Sequence, residues 1–401
     1  MNAGARRYRG QYRRFVIAAA QIAVLGASVP VLADAPHLKL ALGDETQIVF
    51  EPKRDACDGH DVPDVNARAF RDAGNNVVMF ALHDVNRALR GKDIASVKID
   101  CRVVYKSSFS ANPAAYDYQS WIAATWTDNG KDIAAIIHHE FHGDRNGLCN
   151  VPKDKAAMGC WFNTLIAANS TDGGASFQKL SSPVVASSPF KQDVDQGRHR
   201  GFFNPSNIVS SGGYKYFFSN TTGWPGQQFG ACLFRSSEPG KPNSWYAFDG
   251  KAFSIRYADP YGPPHTLPAQ CKPISPFPVA PGAVVRQRGS GLWLAVVQAW
   301  KDEKFFPVSG FYYATSRDLI AWSEPRLLFA TKTLFDNACG ADRLNSYPSI
   351  LDEQAKTRNF EDVGEEAWLY YASMRVDGCS HTGDRTLIRR KITIRAAGPT
   401  R

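Results

Sequence analysis

The chain has 401 residues, a formal net charge of +9, and 21% charged residues. Five arginines within the first fourteen residues precede the apolar stretch 15–32, which ends in small residues. This pattern predicts a secretory signal peptide at 1–33, with an uncleaved membrane anchor as the alternative. Without these five arginines the net charge is +4, too small to indicate a nucleic-acid-binding protein. We therefore predict a periplasmic or secreted protein with no membrane span after cleavage.

All eight cysteines follow the predicted signal peptide. An even number of cysteines in a secreted chain predicts disulfides rather than free thiols. The sequence does not determine how they pair, but pairing of neighbours along the chain would close one local module with each bond. We expect the pairs Cys57–Cys101, Cys149–Cys160, Cys232–Cys271 and Cys339–Cys379. No two cysteines have the close spacing of a zinc site, so none is predicted there.

From residue 67 onwards, a strand pattern recurs roughly every 60–70 residues, a period typical of repeat architectures. Each repeat is a hairpin with a Gly or Asn turn, and the hairpins cover 67–84, 121–143, 204–220, 282–298 and 347–375. A polar loop and a third strand follow each hairpin, at 101–105, 161–167, 231–235, 310–314 and 386–389. The pattern predicts an all-β fold, a five-bladed β-propeller with four-stranded antiparallel blades, as one domain over 34–401. An irregular pair of β-sandwiches is the alternative.

Two turns resemble those of known propeller families. The segment Ser170–Phe177 (STDGGASF) resembles the Asp box, Ser-x-Asp-x-Gly-x-x-Trp/Phe, of sialidase-like propellers. The segment Ser316–Trp322 is similar to the related turn of five-bladed glycosidases such as furanosidases. In those families the Asp and Gly shape the turn between the third and fourth strands of a blade. The resemblance, which covers 67–394, therefore implies the fold and says little about activity.

In a propeller, the loops that enter the first strands and leave the second strands gather around one mouth of the central channel. His, Arg, Asn and Trp accumulate at these positions, where Trp could stack on a sugar ring and the others could hydrogen-bond its hydroxyl groups. The predicted binding partner is therefore a carbohydrate. The substrate-binding candidates are Arg68, His83, Asp84, His138, His142, His199, Asn204, Trp224, Trp300, Tyr347 and Arg375.

Two carboxylates at this mouth could cleave a glycosidic bond by acid–base catalysis. Glu140 is the candidate proton donor, because burial at a strand end would raise its pKa, although protonated histidines nearby would oppose this. Asp64 is the candidate base or nucleophile. Its location resembles that of the base in five-bladed furanosidases, although the aligned turn position itself is Asn66. The sequence thus predicts a glycoside hydrolase, with a non-catalytic propeller that binds glycan or protein as the alternative.

Two further features bear on the type of substrate and chemistry. Arg68, Arg286 and Arg375 resemble the three arginines with which sialidases hold a carboxylate, so an acidic glycan is one candidate substrate. In an extended strand His138, Glu140 and His142 share one face, and His139 points away. That face could hold a divalent metal, and a polysaccharide lyase using His and Arg is another alternative. No cofactor is predicted, and the oligomeric state is not determined by the sequence.

Overall fold

The structure, a computed structural model, describes residues 37–397 except 192, 194–195, 264–269 and 303. The signal peptide predicted at 1–33 lies outside these residues. The two α-helices are short, α1 (Pro52–Asp55) and α2 (Lys153–Gly159), and single 3-10 turns cover Pro113–Ala115, Gly143–Asn146 and Pro242–Ser244. Strands make up the rest of the regular structure. The predicted all-β class is confirmed.

The strands follow one another in five antiparallel units after an N-terminal strand, β1 (His37–Phe50). Unit one contains β2 (Arg68–Arg71), β3 (Val77–Phe80), β4 (Arg87–Gly91) and β5 (Lys98–Val103). Unit two contains β6 (Gln119–Trp126), β7 (Ile133–His142), β8 (Trp161–Ser170) and β9 (Gln178–Ala186). Unit three contains β10 (Arg200–Phe203), β11 (Val209–Ser211), β12 (Tyr214–Thr221), β13 (Gly230–Ser236), β14 (Tyr246–Phe248) and β15 (Phe253–Ile255).

Unit four contains β16 (Ala283–Gln287), β17 (Trp293–Ala299), β18 (Gly310–Ser316) and β19 (Arg326–Ala330). Unit five contains β20 (Arg343–Leu351), β22 (Glu366–Asp377) and β23 (Ser380–Ala397), and the short β21 (Asp362–Val363) pairs in parallel with β16. Units two and three belong to one sheet, because β10 also pairs in parallel with β8. Four-stranded antiparallel sheets are therefore the dominant element of the fold, as predicted.

Unit five takes its fourth strand from the other end of the chain. β1 pairs antiparallel with β23, and Leu38, Leu40 and Phe50 of β1 are buried. The sequence pattern does not predict β1, because its inside–outside alternation covers only the first few residues and the strand is then largely exposed up to 49. The pairing ties the N-terminal strand to the C-terminal one.

Unit one differs from the predicted strand order. Residues 101–103, predicted in the third strand, lie in the fourth strand β5, and β4 is the third strand. In the sequence of β4, Arg87 and Arg90 flank Ala88 and Leu89, so the segment resembles a polar loop. Ala88 and Leu89 are nevertheless fully buried. The Arg87 side chain is neutralised by Asp58 and Asp61, at 2.6 and 2.7 Å.

A narrow cavity lies where the first strands of the units meet. Its lining draws on all five units and consists of Ala67, Arg68, Ala69, Thr125, Asn207, Ala283, Ile350, Leu351, Asn359 and Phe360. Arg68 is only 2% exposed. Its guanidinium donates to the backbone carbonyls of Ala123 (2.8 Å) and Pro205 (2.9 Å) and to the hydroxyl of Ser349 (3.3 Å).

These partners belong to units two, three and five, so Arg68 links four units through its side chain. Burial lowers the pKa of Arg68 to about 9. The prediction that Arg68 binds substrate is therefore wrong. Its donors are used by backbone carbonyls and a hydroxyl in the centre of the fold.

All four predicted disulfides are confirmed: Cys57–Cys101, Cys149–Cys160, Cys232–Cys271 and Cys339–Cys379. Four disulfides are typical of extracellular proteins. Within the described part of the chain, no helix has the length and apolar character needed to cross a membrane.

In both Asp-box-like turns the aspartate carboxylate accepts from two consecutive backbone N–H groups, which lie three and four residues ahead in the first turn and two and three residues ahead in the second. Asp172 accepts from the backbone N–H groups of Ala175 and Ser176 (2.9 and 3.0 Å). Asp318 accepts in the same way from the N–H groups of Ile320 and Ala321 (2.9 and 2.8 Å). The carboxylate thus closes the turn that connects the third strand to the fourth strand in units two and four.

One buried carboxyl predicts a pH-dependent stability. Glu361 is 7% exposed, its Oε2 atom has no hydrogen-bond partner among the described residues, and burial raises its pKa to about 7. Because the folded state favours the protonated form, ionisation of Glu361 costs stability as the pH rises from its unfolded pKa through 7. We expect Glu361→Gln to raise the free energy of unfolding at pH 8 by about 3 kcal/mol. At pH 5 the gain measured by urea denaturation should fall below about 1 kcal/mol. A gain of the same size at both pH values would contradict this account.

Candidate active site

A cavity of ≈ 670 Å³ contains most of the predicted site residues. Its polar lining consists of Asp64, His138, Glu140, His199, Asn204, Gln298, Tyr347 and His381. Its apolar lining consists of Trp121, Met158, Trp161, Phe203, Phe229, Val279, Trp300, Leu334 and Phe335. A second cavity of equal volume lies beside β1 and 94–99, but its single carboxylate, Asp55, is paired with Arg54. The first cavity is the candidate active site.

Glu140 lies near the end of β7, where alternation along the strand places His138 and His142 on the same side. His142 Nε2 is 3.2 Å from Glu140 Oε2, and His138 Nε2 is 3.4 Å from Oε1. Burial alone would raise the pKa of Glu140, but the hydrogen bond with His142 and the influence of His138 outweigh it and hold this pKa below its ordinary value. The expected rise of the Glu140 pKa is therefore wrong, because the two histidines favour the ionised carboxylate. His139 points away and is buried against Tyr116, as the alternation predicts.

A side-chain amide connects two histidines of the cavity. Asn163 Nδ2 donates to His138 Nε2 (2.9 Å), and Asn163 Oδ1 accepts from His199 Nε2. Burial lowers the pKa of His138 and that of His199, the latter to about 4. The sequence did not single out Asn163, because it lies on the third strand of unit two. Its only signal is the antiparallel register, which sets it opposite Glu140.

Trp161 stacks with two histidines at the cavity. Its ring centroid lies 4.0 Å from that of His199 and 5.7 Å from that of His142. Both imidazoles lie nearly parallel to the indole, at 11° and 13°. Trp161 and His199 both line the cavity, so this stack forms part of its aromatic wall.

Asp64 lies before β2 and lines the same cavity as Glu140. Arg385 Nη1 contacts Oδ1, and the Tyr347 hydroxyl donates to the same oxygen at 3.4 Å. His83 Nε2 is 3.3 Å from the other oxygen, Oδ2. Burial raises the pKa of Asp64 above its ordinary value, against the opposing charges of Arg385 and His83. The two carboxyls are thus shifted in opposite directions.

Arg385 was missed at the sequence level. It lies one residue before the predicted strand 386–389, and nothing local relates it to Asp64, 321 residues away. Packing of unit five against unit one brings the two side chains together.

His83 and Asp84 were predicted to bind substrate, but they lie outside the cavity lining. Asp84 Oδ1 is 2.6 Å from His83 Nδ1, and the opposite imidazole nitrogen faces Asp64. His142 likewise contacts Glu140 from behind. His83 thus contacts Asp64, His142 contacts Glu140 and Asp84 contacts His83, and none of the three is part of the cavity lining.

Two cavity residues have left-handed backbone conformations. Asn204 has φ 48° and directly follows β10, and Tyr347 has φ 61° and lies within β20. Such angles are uncommon for residues other than glycine and are concentrated at functional sites. The Tyr347 N–H donates to Gln298 Oε1 at 2.8 Å, which holds the tyrosine toward Asp64.

Two other predicted binding residues lie elsewhere. Trp224 is buried in the core of unit three against Phe202 and Tyr257, because the adjoining turn folds its indole inward. Arg375 is exposed on β22, and Arg286 is exposed beside Trp293. Together with the buried Arg68, these arginines do not converge, so the sialidase-like carboxylate clamp is wrong for this chain.

Among the residues that the structure describes, no group of three or more His, Cys, Asp or Glu side chains has an arrangement that could hold a metal ion. The pairing of His138 with Asn163 engages the nitrogen that faces Glu140.

No protein-family model matches the chain, and no curated protein matches it in sequence. Several solved structures have a similar backbone at low identity. A protein of unknown function from Dyadobacter fermentans DSM 18053 has a TM-score of 0.49 and 12% identity, covering 89% of this chain and 99% of that chain. An alpha-L-arabinofuranosidase from Lactobacillus brevis has a TM-score of 0.49 and 11% identity, covering 85% and 94%. The catalytic domain of an alpha-L-arabinofuranosidase from Coprinopsis cinerea has a TM-score of 0.47 and 10% identity, covering 90% and 99%.

Proposed function

We propose that this protein is a secreted or periplasmic enzyme that hydrolyses a glycosidic bond. The observation that carries the proposal is the convergence of two partly buried carboxyls, Asp64 from unit one and Glu140 from unit two, on one cavity with aromatic walls. A carboxyl pair across a sugar-sized cavity is the usual catalytic equipment of glycoside hydrolases.

The opposite pKa shifts favour distinct roles for the two groups. Asp64, whose pKa is raised, gives its proton to the glycosidic oxygen as the bond to the anomeric carbon breaks. Glu140, whose pKa is lowered, is the ionised partner that either attacks the anomeric carbon or takes a proton from the attacking water. These roles are the reverse of those expected from the sequence. Arg385 and Tyr347 stabilise the carboxylate that remains on Asp64.

The cavity favours an uncharged glycan over an acidic one. Its described lining contains no Lys or Arg, and Arg385 is engaged by Asp64. A substrate carboxylate would therefore meet Asp64 and Glu140 without a free cation to offset the repulsion.

The five units also support the finer architecture, a closed five-bladed propeller with one unit per blade. Two features favour it: residues of all five units line one narrow cavity, and β1 joins β23. The channel mouth would then hold the candidate active site.

The direct test is incubation of the purified protein with a panel of neutral and acidic oligosaccharides and glycosides. Release of a reducing sugar, with its anomeric form followed by NMR, supports hydrolysis and gives its stereochemistry. An unsaturated product would indicate a lyase. Binding without cleavage of any member would support a non-catalytic glycan-binding protein.

Trp300 provides a test of substrate stacking. It lines the cavity and packs edge-to-face on the exposed Phe335, with ring centroids 5.4 Å apart. We expect Trp300→Ala to raise KM roughly three- to ten-fold, the loss of one aromatic contact, with a smaller change in kcat. Phe109 is 45% exposed and lies outside the cavity lining, so Phe109→Ala is the matched control with unchanged KM. Equal effects of both substitutions would contradict a binding role for Trp300.

A further inference from the structure

We propose that His83 and Asp84 are positioning residues that fix the orientation of the Asp64 carboxyl and control how it holds its proton. The three side chains form a line. Asp84 Oδ1 is 2.6 Å from His83 Nδ1, and His83 Nε2 is 3.3 Å from Asp64 Oδ2. This pair lies behind the cavity and touches the proposed acid without touching a substrate.

The short contact between Asp84 and His83 fixes the imidazole. A carboxylate accepts the Nδ1–H, so the ring cannot flip, and Nε2 is the nitrogen that faces Asp64. Asp84 itself is 5% exposed, and Gln119 Nε2 approaches its other oxygen at 3.4 Å. Trp121 packs against the imidazole, with ring centroids 5.3 Å apart. The orientation of His83 is therefore held from three sides.

The charge of His83 determines which protonation state of Asp64 is favoured. Burial lowers the pKa of His83, but the hydrogen bond to Asp84 and the charge of Asp64 outweigh it, so the pKa of His83 is raised. A protonated His83 donates to Asp64 Oδ2 and favours the ionised form of that carboxyl. When His83 is neutral, Nε2 instead accepts the proton that Asp64 holds. The other charged or titratable groups that face Asp64 or His83 are Arg385, Tyr347, Glu140, His138 and His381.

Glu140 also contacts a histidine, but that histidine has no hydrogen bond to a second carboxylate. His142 contacts Glu140, but its Nδ1 is 4.0 Å from Asp144 Oδ1, beyond hydrogen-bond distance. That oxygen has no hydrogen-bond partner among the described residues. Of the two cavity carboxyls, Asp64 alone has, among the described residues, a histidine that is itself hydrogen-bonded to a carboxylate.

The test is a titration of Asp64 in three proteins, the wild type, His83→Gln and Asp84→Asn, by NMR of ¹³C-labelled aspartate carboxyls, assigned with Asp64→Asn. Loss of the imidazolium should raise the titration midpoint of Asp64 by about one pH unit in His83→Gln. Asp84→Asn retains the shape of the pair and loses its charge, so a smaller shift in the same direction is expected. An unchanged midpoint in both folded variants would overturn the proposal.

The second readout rests on the proposed function. In the pH profile of kcat/KM, the alkaline limb should move to higher pH in both variants, by the shift that NMR measures. Asp61→Asn is the control: Asp61 is a buried carboxylate of the same unit, paired with Arg87, and its loss should reduce stability without moving the limb. If the chain cleaves nothing in the panel, the proposed function fails, while the NMR titration still decides the role of His83.

Discussion

Glu140→Gln is expected to lower kcat by roughly 10²–10⁴-fold, the usual contribution of one acid–base group. The change removes the negative charge and leaves the size of the side chain nearly the same. The glutamine can still accept from His142, so the cavity should keep its shape. The measurement is the initial rate on the best substrate of the panel, together with the circular dichroism spectrum. Asp64→Asn should give a loss of the same order, because both groups act on one bond.

The two substitutions differ in what restores activity. If Asp64 is the proton donor, Asp64→Asn should retain more activity on glycosides with an acidic aryl leaving group, since these need no protonation. Glu140→Gln should gain much less from such a leaving group. Wild-type activity in Glu140→Gln would remove Glu140 from the mechanism, and rescue of Glu140→Gln alone would reverse the two roles.

Arg68→Met is expected to lower the free energy of unfolding by about 3 kcal/mol or more. Methionine fills part of the volume but donates no hydrogen bond, so the carbonyl oxygens of Ala123 and Pro205 lose their partner. The adjoining cavity measures only ≈ 10 Å³, space for about one water molecule, so water cannot replace the whole guanidinium. Urea denaturation followed by tryptophan fluorescence measures the change.

Arg375→Met is the matched control for Arg68→Met. It removes the same side chain from an exposed position on β22, where substitutions usually change stability by no more than about 0.5 kcal/mol. A buried charge carries its own desolvation cost, and hydrophobic replacements of buried ions are sometimes neutral. Equal stability of Arg68→Met and the wild type would show that this cost cancels the hydrogen bonds. It would also mean that the hydrogen bonds of Arg68 between the units make no net contribution to the free energy of unfolding.

Local signals were sufficient for most strands. Turns with Gly or Asn between apolar runs located the hairpins of units one to four, among them the Asn-Gly turn of unit two and the Gly-Gly turn of unit three, because such turns and the two-residue alternation are properties of neighbouring residues. The disulfide pairs were predicted on a similar local basis, because a bond between cysteines that are neighbours along the chain closes one local module. Strand β1 was missed because a long edge strand with few buried residues has little hydrophobic pattern to detect.

The sequence by itself determined the all-β class, the five hairpins, the presence of disulfides and a short set of polar positions near strand ends that includes Asp64, Glu140, His138 and Tyr347, whereas the pairing of the cysteines was an expectation that the structure confirmed. Only the tertiary structure decided which of these residues share a cavity. Arg68 and Trp224 lie in the interior, Arg375 lies on the surface, and His83 lies behind Asp64. The physical reason is that a strand end specifies a position along the chain, whereas the direction of its side chain depends on how the units pack. Arg385 and Asn163 reach the site only through contacts between distant or adjacent strands, and the charge of Arg385 favours the ionised form of Asp64 against the effect of burial.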